Sequence, residues 1–465
     1  MIRVHQQTRT AIQLLTATVL LVLSTTGCQT LPAVAPLQTP ASTATVKESG
    51  GPISDTVVDT TDTADQLADG PADAPLLDAV ASVSSENPVT LTLWTVSEVS
   101  PEAEGDEGTI FDNGLKAFEE ANPTTTVSVV LKNASGQGSV LDYLKTATQV
   151  APSVLPDVVI LNTTDMAEAS RTGILVPLED LIPAELSQDL LPTARAAGTV
   201  DEHLVGVPFE MDIEHIVYNT NKIATPPLNW TDVLSSPTTY MFPAKGRNGL
   251  VNDVFMVQYL ALGGKLQDEE DKPFVNEQVL LTLLNYYQEG SQLGIFPDGA
   301  MMAGTVDEVW PEYVSAQIGI ANVTSHLFLS DSDKLQATSV AAIPTHDGTL
   351  LTIGRGRVLA ITTRDPVQQA AAVRLISWML EPNNSAAWSE TAFYLPTRYA
   401  TFERLSADDP YWTFALQQLE VAVPAPSFSG YDQVGRVLQQ EVTNVLTGEA
   451  APEDAAAAAF DAIPR

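Results

Sequence analysis

The middle of this chain contains two kinds of hydrophobic pattern in turn. In some segments apolar residues occupy every second position, as in a strand, and in others they recur at the spacing of a helix. Val89–Val96 alternates as a strand does, and apolar residues then recur at helical spacing until Asn122-Pro123 ends a helix. Further strands are predicted at Thr126–Leu131 and Asp157–Leu161, and further helices at Leu141–Val150 and Met166–Thr172. Strands that alternate with helices predict an α/β fold with a parallel sheet.

Ligands of parallel α/β sheets bind beyond the carboxyl ends of the strands. The residues that directly follow two of the predicted strands are Trp94–Glu98 and Asn162–Asp165. We therefore expect these two segments at the same edge of the sheet.

The stretch Leu204–Asn219 has the pattern of an acidic strand. Its carboxylates Glu210, Asp212 and Glu214 alternate with apolar Met211 and Ile213. Unpaired carboxylates are too costly to place in a dry core. Two interpretations remain: a strand that crosses a wet cleft between two folded bodies, or an edge strand with one solvated face.

The pattern continues to the end of the chain. Asn229 and Asp232 have the spacing of a capping box at a helix start. A long strand with a kink at Gly354–Gly356 is predicted over Thr349–Ile361. Helices are predicted at Asp253–Leu262, Glu277–Gln288, Thr305–Gln317, Gln368–Leu380, Gln433–Leu446 and Glu453–Ile463, and a strand at Ile318–Val323.

Length and charge narrow the class of protein. A chain of 465 residues is too long for one hydrophobic core, so two or three domains are expected. Its 22 Lys and Arg against 58 Asp and Glu give a formal net charge of −36. Such a charge repels phosphate backbones and anionic lipid, so neither nucleic-acid binding nor electrostatic membrane attachment is expected.

The N-terminal segment predicts export. Basic residues in Met1–Arg9 precede the apolar run Ala11–Leu23, and Gly27-Cys28 follows, which is the order of a secretory signal over residues 1–27. A sole cysteine at this place resembles the lipobox of bacterial lipoproteins, which implies lipidation of Cys28. Residues 29–88 contain no Phe, Trp or Tyr and are rich in carboxylates, so residues 28–88 are predicted to form a disordered acidic tether.

Catalytic and cofactor motifs are missing from the sequence. It has no H-E-x-x-H, no G-x-S-x-G and no phosphate loop, and its five histidines are scattered. We therefore predict no catalytic residue, no metal site and no cofactor. The carboxylates Glu210 and Asp212 leave one enzymatic alternative, a secreted glycosidase.

The order of the segments resembles the extracellular solute-binding proteins of ABC importers, specifically the sugar-binding group. The resemblance rests on VTLTLW, PDVVILNTTDMAEASRTGILVPLEDL, LVGVPFEMDIEHIVYNTNKI and RLISWMLEPNNSAAWSETAFYLPTR in that order. It implies an α/β fold of two lobes, the type II arrangement, joined by hinge crossings. Lobe 1 would hold residues 89–211 with about 357–396, and lobe 2 residues 212–356 with about 397–465.

The resemblance also implies a binding site. The hinge residues would be Met211, Asp212, Ile213, Gly354 and Gly356, and Asp212 falls where the family places a sugar-binding carboxylate. We interpret Glu210 and Glu214 as its solvated neighbours. The other candidate ligand contacts are Trp94, Thr164, Asp165, Asn252, Asp253, His326 and Tyr431.

The function implied is that of a monomeric, non-enzymatic receptor, lipid-anchored outside the cytoplasmic membrane. It would bind a carbohydrate between its lobes and deliver it to ABC permease subunits. A non-sugar solute, such as a polyamine or a metal chelate, is the first alternative, and the secreted glycosidase is the second.

Overall fold

The structure, a computed structural model, describes residues 88–405 and 409–463. The predicted signal sequence, Cys28 and all but the last residue of the predicted tether lie outside the described residues. Within the described ranges, no helix is both long enough and apolar enough to cross a membrane.

Nine of the described strands form one mixed sheet. Its main path runs β2-β1-β3-β10-β6-β8-β7, and β11 and β9 add to it beside β10 and β6. Strands β4 and β5 pair separately. The strands are β1 Val89–Val96, β2 Thr125–Lys132, β3 Val158–Asn162, β4 Thr199–Val200, β5 His203–Leu204, β6 Val207–Asn219, β7 Tyr240–Met241, β8 Ile320–Thr324, β9 Thr338–Ala341, β10 Thr352–Ile361 and β11 Ala422–Pro424.

Helices pack against this sheet and against one another. They are α1 Asp106–Ala121, α2 Val140–Val150, α3 Met166–Ser170, α4 Ala184–Asp189, α5 Pro192–Gly198, α6 Trp230–Leu234, α7 Asp253–Ala261, α8 Glu277–Gln292, α9 Val306–Val314, α10 Ser325–Asp331, α11 Pro366–Met379, α12 Pro382–Ala392, α13 Tyr399–Leu405, α14 Pro410–Val421, α15 Tyr431–Leu446 and α16 Pro452–Ala462. The predicted capping box is confirmed at α6, where the side chains of Asn229 and Asp232 each accept a backbone hydrogen bond.

Within the described ranges, the buried apolar residues form three cores. The first core joins β1, β3, α1 and α11 through residues such as Leu91 and Leu375. The second core joins β8, α7, α8 and α15 through residues such as Phe255 and Leu438. The third, smaller core contains Trp412 of α14. Each core removes apolar surface from water, which is the main favourable contribution to folding.

Strand β6 passes from one core to the next. Val207 belongs to the first core, Met211 and Ile213 belong to the third, and Ile216 belongs to the second. Strand β10 returns in the opposite direction, from Ile353 in the second core to its C-terminal residues in the first. The lobe boundaries given above stay a prediction.

The prediction of a parallel sheet is correct only for part of the sheet. Strands β1, β2 and β3 are parallel, so their carboxyl ends share one edge as expected. Strand β10 is antiparallel to β3 and to β6, and β6 is antiparallel to β8. The physical reason is that β6 and β10 carry the chain between the same two cores in opposite directions.

Candidate ligand-binding site

A cavity of about 360 Å³ lies over the region where β6 and β10 pair. Four of the predicted ligand contacts line it together, namely Asp212, Asn252, Asp253 and Tyr431. Other lining residues include Glu214, Arg247, Thr305, Asp307, Thr324 and Arg355. The volume lies within the range of pockets for small molecules.

Asp212 is held in place by the start of α10. Its Oδ1 accepts hydrogen bonds from Ser325 Oγ at 2.5 Å and from the backbone nitrogen of His326 at 3.0 Å. Burial raises the pKa of Asp212, and the bonds from Ser325 and His326 act in the opposite direction. Two donors therefore fix the orientation of this half-buried carboxyl group at the cavity wall.

Asn252 and Asp253 stand at the start of α7. The side chain of Asn252 caps the helix by accepting a hydrogen bond from the nitrogen of Phe255 at 2.9 Å, while its Nδ2 is buried and finds no partner within the described part of the chain. Asp253 forms an ion pair with Arg355, whose Nη2 lies 2.6 Å from Asp253 Oδ1. The negative charge of Asp253 is thus matched by a guanidinium inside the cavity wall.

Tyr431, the first residue of α15, lines the same cavity and is half-buried. Its ring packs edge-on against Phe428, with the ring centroids 5.7 Å apart. Burial raises the pKa of Tyr431, so its hydroxyl group is protonated at neutral pH. The residue can offer both a hydroxyl group and an aromatic surface to a ligand.

The remaining predicted contacts lie outside this cavity. Trp94 is buried in the first core, where its ring meets Tyr143 and the ammonium of Lys132 lies 4.5 Å from its centroid. Thr164 and Asp165 line a separate cavity of about 360 Å³ beside the start of α2. The structure therefore places Thr164 and Asp165 in a second cavity and Trp94 in a hydrophobic core, apart from the four contacts that share the first cavity.

His326 reaches Asp212 through its backbone rather than its ring. The imidazole stacks on Tyr394, with the ring centroids 4.4 Å apart and the planes 16° from parallel. Its Nδ1 is buried without a hydrogen-bond partner among the described residues. The ring of His326 therefore connects α10 with the segment that follows α12.

The predicted hinge residues lie in the paired segments of β6 and β10. Met211 pairs in register with Gly356, and Ile213 pairs with Gly354. A Cβ atom on Gly356 would lie 2.0 Å from the carbonyl oxygen of Glu210, and one on Gly354 would lie 2.7 Å from Met211 Cε. The glycines permit this contact because they lack a side chain, and hinge motion at these positions stays a prediction.

Glu210 is not the solvated neighbour that the sequence suggested. It is fully buried, forms an ion pair with Arg357, and its Oε2 accepts a hydrogen bond from Trp388 Nε1 at 2.8 Å. Complete pairing explains how a carboxylate is tolerated there. The sequence held one indication that Glu210 would be paired. Arg355 and Arg357 are two residues apart on β10, and the acids of β6 have the same spacing, so the two strands can match guanidiniums with carboxylates.

Glu214 is also less solvated than predicted. It lines the cavity, and its Oε2 is buried without a hydrogen-bond partner among the described residues. Burial raises the pKa of Glu214 to about 7. The positive charge of Arg355 and the side chain of Asn322 oppose the shift, and the negative charge of Asp212 adds to it. The sequence offered no signal for this, because the burial of Glu214 arises from segments that are distant along the chain, such as those of Arg355 and Tyr431.

Metal ligands do not gather in the part of the chain that the structure describes. No group of three or more His, Cys, Asp and Glu side chains there has the geometry to hold a metal ion.

The fold is found in solved sugar-binding proteins of bacteria. The cyclic α-maltosyl-1,6-maltose binding protein of Arthrobacter globiformis has 21% sequence identity and a TM-score of 0.68, over 81% of this chain and 98% of that one. The sugar-binding protein MalE of Xanthomonas citri has 19% identity and a TM-score of 0.66, over 80% and 96%. Maltose-bound MalE3 of T. maritima has 19% identity and a TM-score of 0.63, over 80% and 98%. These likenesses confirm the predicted α/β fold.

Residues 115–413 match the sequence profile of a family described as bacterial extracellular solute-binding protein. The match covers more than half of the 465 residues. It is a family of binding proteins, as expected from the missing catalytic motifs, and its description places its members outside the cytoplasm. This chain belongs to the bacterial extracellular solute-binding protein family.

Proposed function

We propose that this protein is the lipid-anchored receptor of an ABC importer, and that it binds a carbohydrate in the cavity beside Asp212 and delivers it to the permease subunits. Support comes from the family and from the similar structures, whose names describe maltose and related sugars as ligands. The observation that carries the proposal is the position of Asp212, a fixed carboxyl group in the wall of a cavity of about 360 Å³.

The chemistry of Asp212 suits a sugar. A carboxylate has about four lone-pair sites, and the bonds from Ser325 and His326 use two of them. Two sites are left for sugar hydroxyl groups, and hydrogen bonds to a charged acceptor are the stronger kind. Tyr431 supplies an aromatic surface for the apolar C–H side of a sugar ring.

A non-sugar cation such as a polyamine is the second candidate. Its support is the acidic lining, since four carboxyl groups face the cavity against two guanidiniums. The carboxyl groups belong to Asp212, Glu214, Asp253 and Asp307, and the guanidiniums to Arg247 and Arg355. The ion pair between Asp253 and Arg355 reduces the excess, which favours the neutral ligand.

A thermal-shift screen tests both candidates. Purified protein is heated with maltose, maltotriose, maltotetraose, D-tagatose or spermidine, and we expect a ligand-dependent rise in melting temperature with a sugar only. Binding that is absent for every sugar and present for spermidine would overturn the carbohydrate proposal. Sugar turnover during incubation would contradict a receptor role.

A substitution then tests the site. Asp212→Asn keeps an acceptor for Ser325 and His326 but removes the charge, so sugar affinity should fall by about 10-fold or more. Calorimetric titration measures it, with the exposed Glu269→Gln as the matched control. Equal affinity in Asp212→Asn and wild type would refute the placement of the sugar at Asp212.

A further inference from the structure

Glu214 occupies a place in the cavity where a ligand group is needed. It stands two residues after Asp212 on β6 and faces Thr324 of β8 in register. Its Oε2 is buried without a donor at hydrogen-bond distance among the described residues, although the side chain of Asn322, whose Nδ2 is also without a partner there, acts on the Glu214 carboxyl group and opposes the rise in its pKa. A buried polar atom without a partner is unfavourable, so a ligand atom that supplies the partner is favoured.

The surrounding charges do not provide that partner. Arg355, the nearest cation on β10, donates to Asp253 of α7. Asp212 on the same strand is a second acid and already takes bonds from Ser325 and His326. The other titratable groups around Glu214 are Tyr240 of β7, Arg247 of the loop before α7, Asp307 of α9 and Tyr431 of α15.

Two neighbouring carboxyl groups that face one cavity disfavour double ionisation. Burial raises the pKa of Glu214 to about 7, and the neighbouring charge of Asp212 adds to the rise. A ligand that fills the cavity excludes more water and strengthens both effects. Near neutral pH, the bound state therefore favours protonated Glu214.

We propose that Glu214 is a ligand-binding and specificity-determining residue that acts as a hydrogen-bond donor, so that the cavity takes up one proton together with a neutral carbohydrate. The inference rests on the proposed function above. Asp212 would accept hydrogen bonds from the sugar, while Glu214 would donate one to a sugar oxygen. This division of roles selects ligands with an acceptor at that position and disfavours cations, which need Glu214 ionised.

The sign of the pH dependence follows from this mechanism. Below the pKa of free Glu214, at about 7, the group is already protonated and affinity is at its maximum. Above it, binding must first restore the proton, so affinity falls as the pH rises. Between about pH 6 and about pH 8 we expect about a 10-fold loss of affinity.

Calorimetric titration with maltotriose, the probe ligand, measures this effect. Two buffers of different ionisation enthalpy should reveal uptake of about half a proton per ligand near pH 7. Glu214→Gln keeps a donor but cannot titrate, so its affinity should lose the pH dependence. The control Glu269→Gln, at an exposed position, should keep the pH dependence of wild type.

Several outcomes would overturn the proposal. A flat profile in wild type, or a slope that persists in Glu214→Gln, would contradict it. Tighter binding at higher pH, as expected for spermidine on an ionised carboxylate, would reverse the assigned role. Failure of maltotriose and every other sugar of the screen to bind at any pH would end the proposed function as well, whereas pH-independent binding would end this inference alone.

Discussion

The buried pair of Glu210 and Arg357 shows how single side chains determine the environment of the crossing strands. Glu210 is fully buried, and its two carboxyl oxygens are occupied by Arg357 and by Trp388 of α12. Arg357 also lies over the ring of Tyr394, 5.3 Å from its centroid. These contacts tie β6 and β10 to the end of α12.

Replacing Glu210 should therefore destabilise the protein. Glu210→Gln leaves the guanidinium of Arg357 mostly buried without its counter-ion, and breaking a buried pair in this way costs about 3 kcal/mol. The shift of the urea midpoint, at unchanged slope, measures the loss. Glu269→Gln is the exposed control, and an effect no larger than that of the control would show that the pair contributes nothing.

At the scale of elements, local pattern predicted strands and helices well. Strand β1 at Val89–Val96 and the capping box of α6 are confirmed as predicted. The sequence pattern predicts no helix at α12, α13 or α14. Their apolar residues face several neighbours, so these helices show little hydrophobic periodicity. It also missed the antiparallel pairing of β6 and β10, because these strands are far apart in the sequence.

The contact between these two strands can be tested with a glycine substitution. Gly356→Ala would place Cβ 2.0 Å from the carbonyl oxygen of Glu210, and backbone atoms cannot move aside cheaply. We expect a loss of about 1–3 kcal/mol in the free energy of unfolding, with weaker sugar binding because β6 carries Asp212.

The matched control is Gly114→Ala in α1, where no atom lies within 4 Å of the added Cβ. Since alanine is the better helix former, this variant should be as stable as wild type or more stable by up to about 1 kcal/mol. Both variants are compared by urea titration. Equal stability of the two would refute the argument that close approach requires Gly356.

At the scale of the whole molecule, the strongly negative net charge limits which partners the protein can attract. The net charge of −36 predicts poor binding of nucleic acid and anionic lipid, so membrane attachment requires another cause. The proposed cause is lipidation of Cys28, the sole cysteine.

Cys28→Ala tests this anchor. Without the thiol no lipid can be attached, and the protein should move from the membrane fraction to the medium of a bacterial expression host. Immunoblots of both fractions measure the distribution, with Thr30→Ala as the neighbouring control that keeps the cysteine. Retention of Cys28→Ala in the membrane fraction would contradict a lipid anchor.

The sequence by itself determined the secondary-structure pattern and the family, and it named eight candidate ligand contacts. Four of these eight line one cavity of the structure, namely Asp212, Asn252, Asp253 and Tyr431. The pattern, the family and the candidates follow from local periodicity and from the order of segments. Only the tertiary structure decided the environments of Glu210, Glu214 and Trp94. The three carboxylates of β6 look alike in sequence, but Glu210 has Arg357 and Trp388, Asp212 has Ser325 and His326, and Glu214 has an oxygen without a partner. Burial and pairing arise from strands that meet across distant parts of the chain, and they set the charge of each carboxyl group.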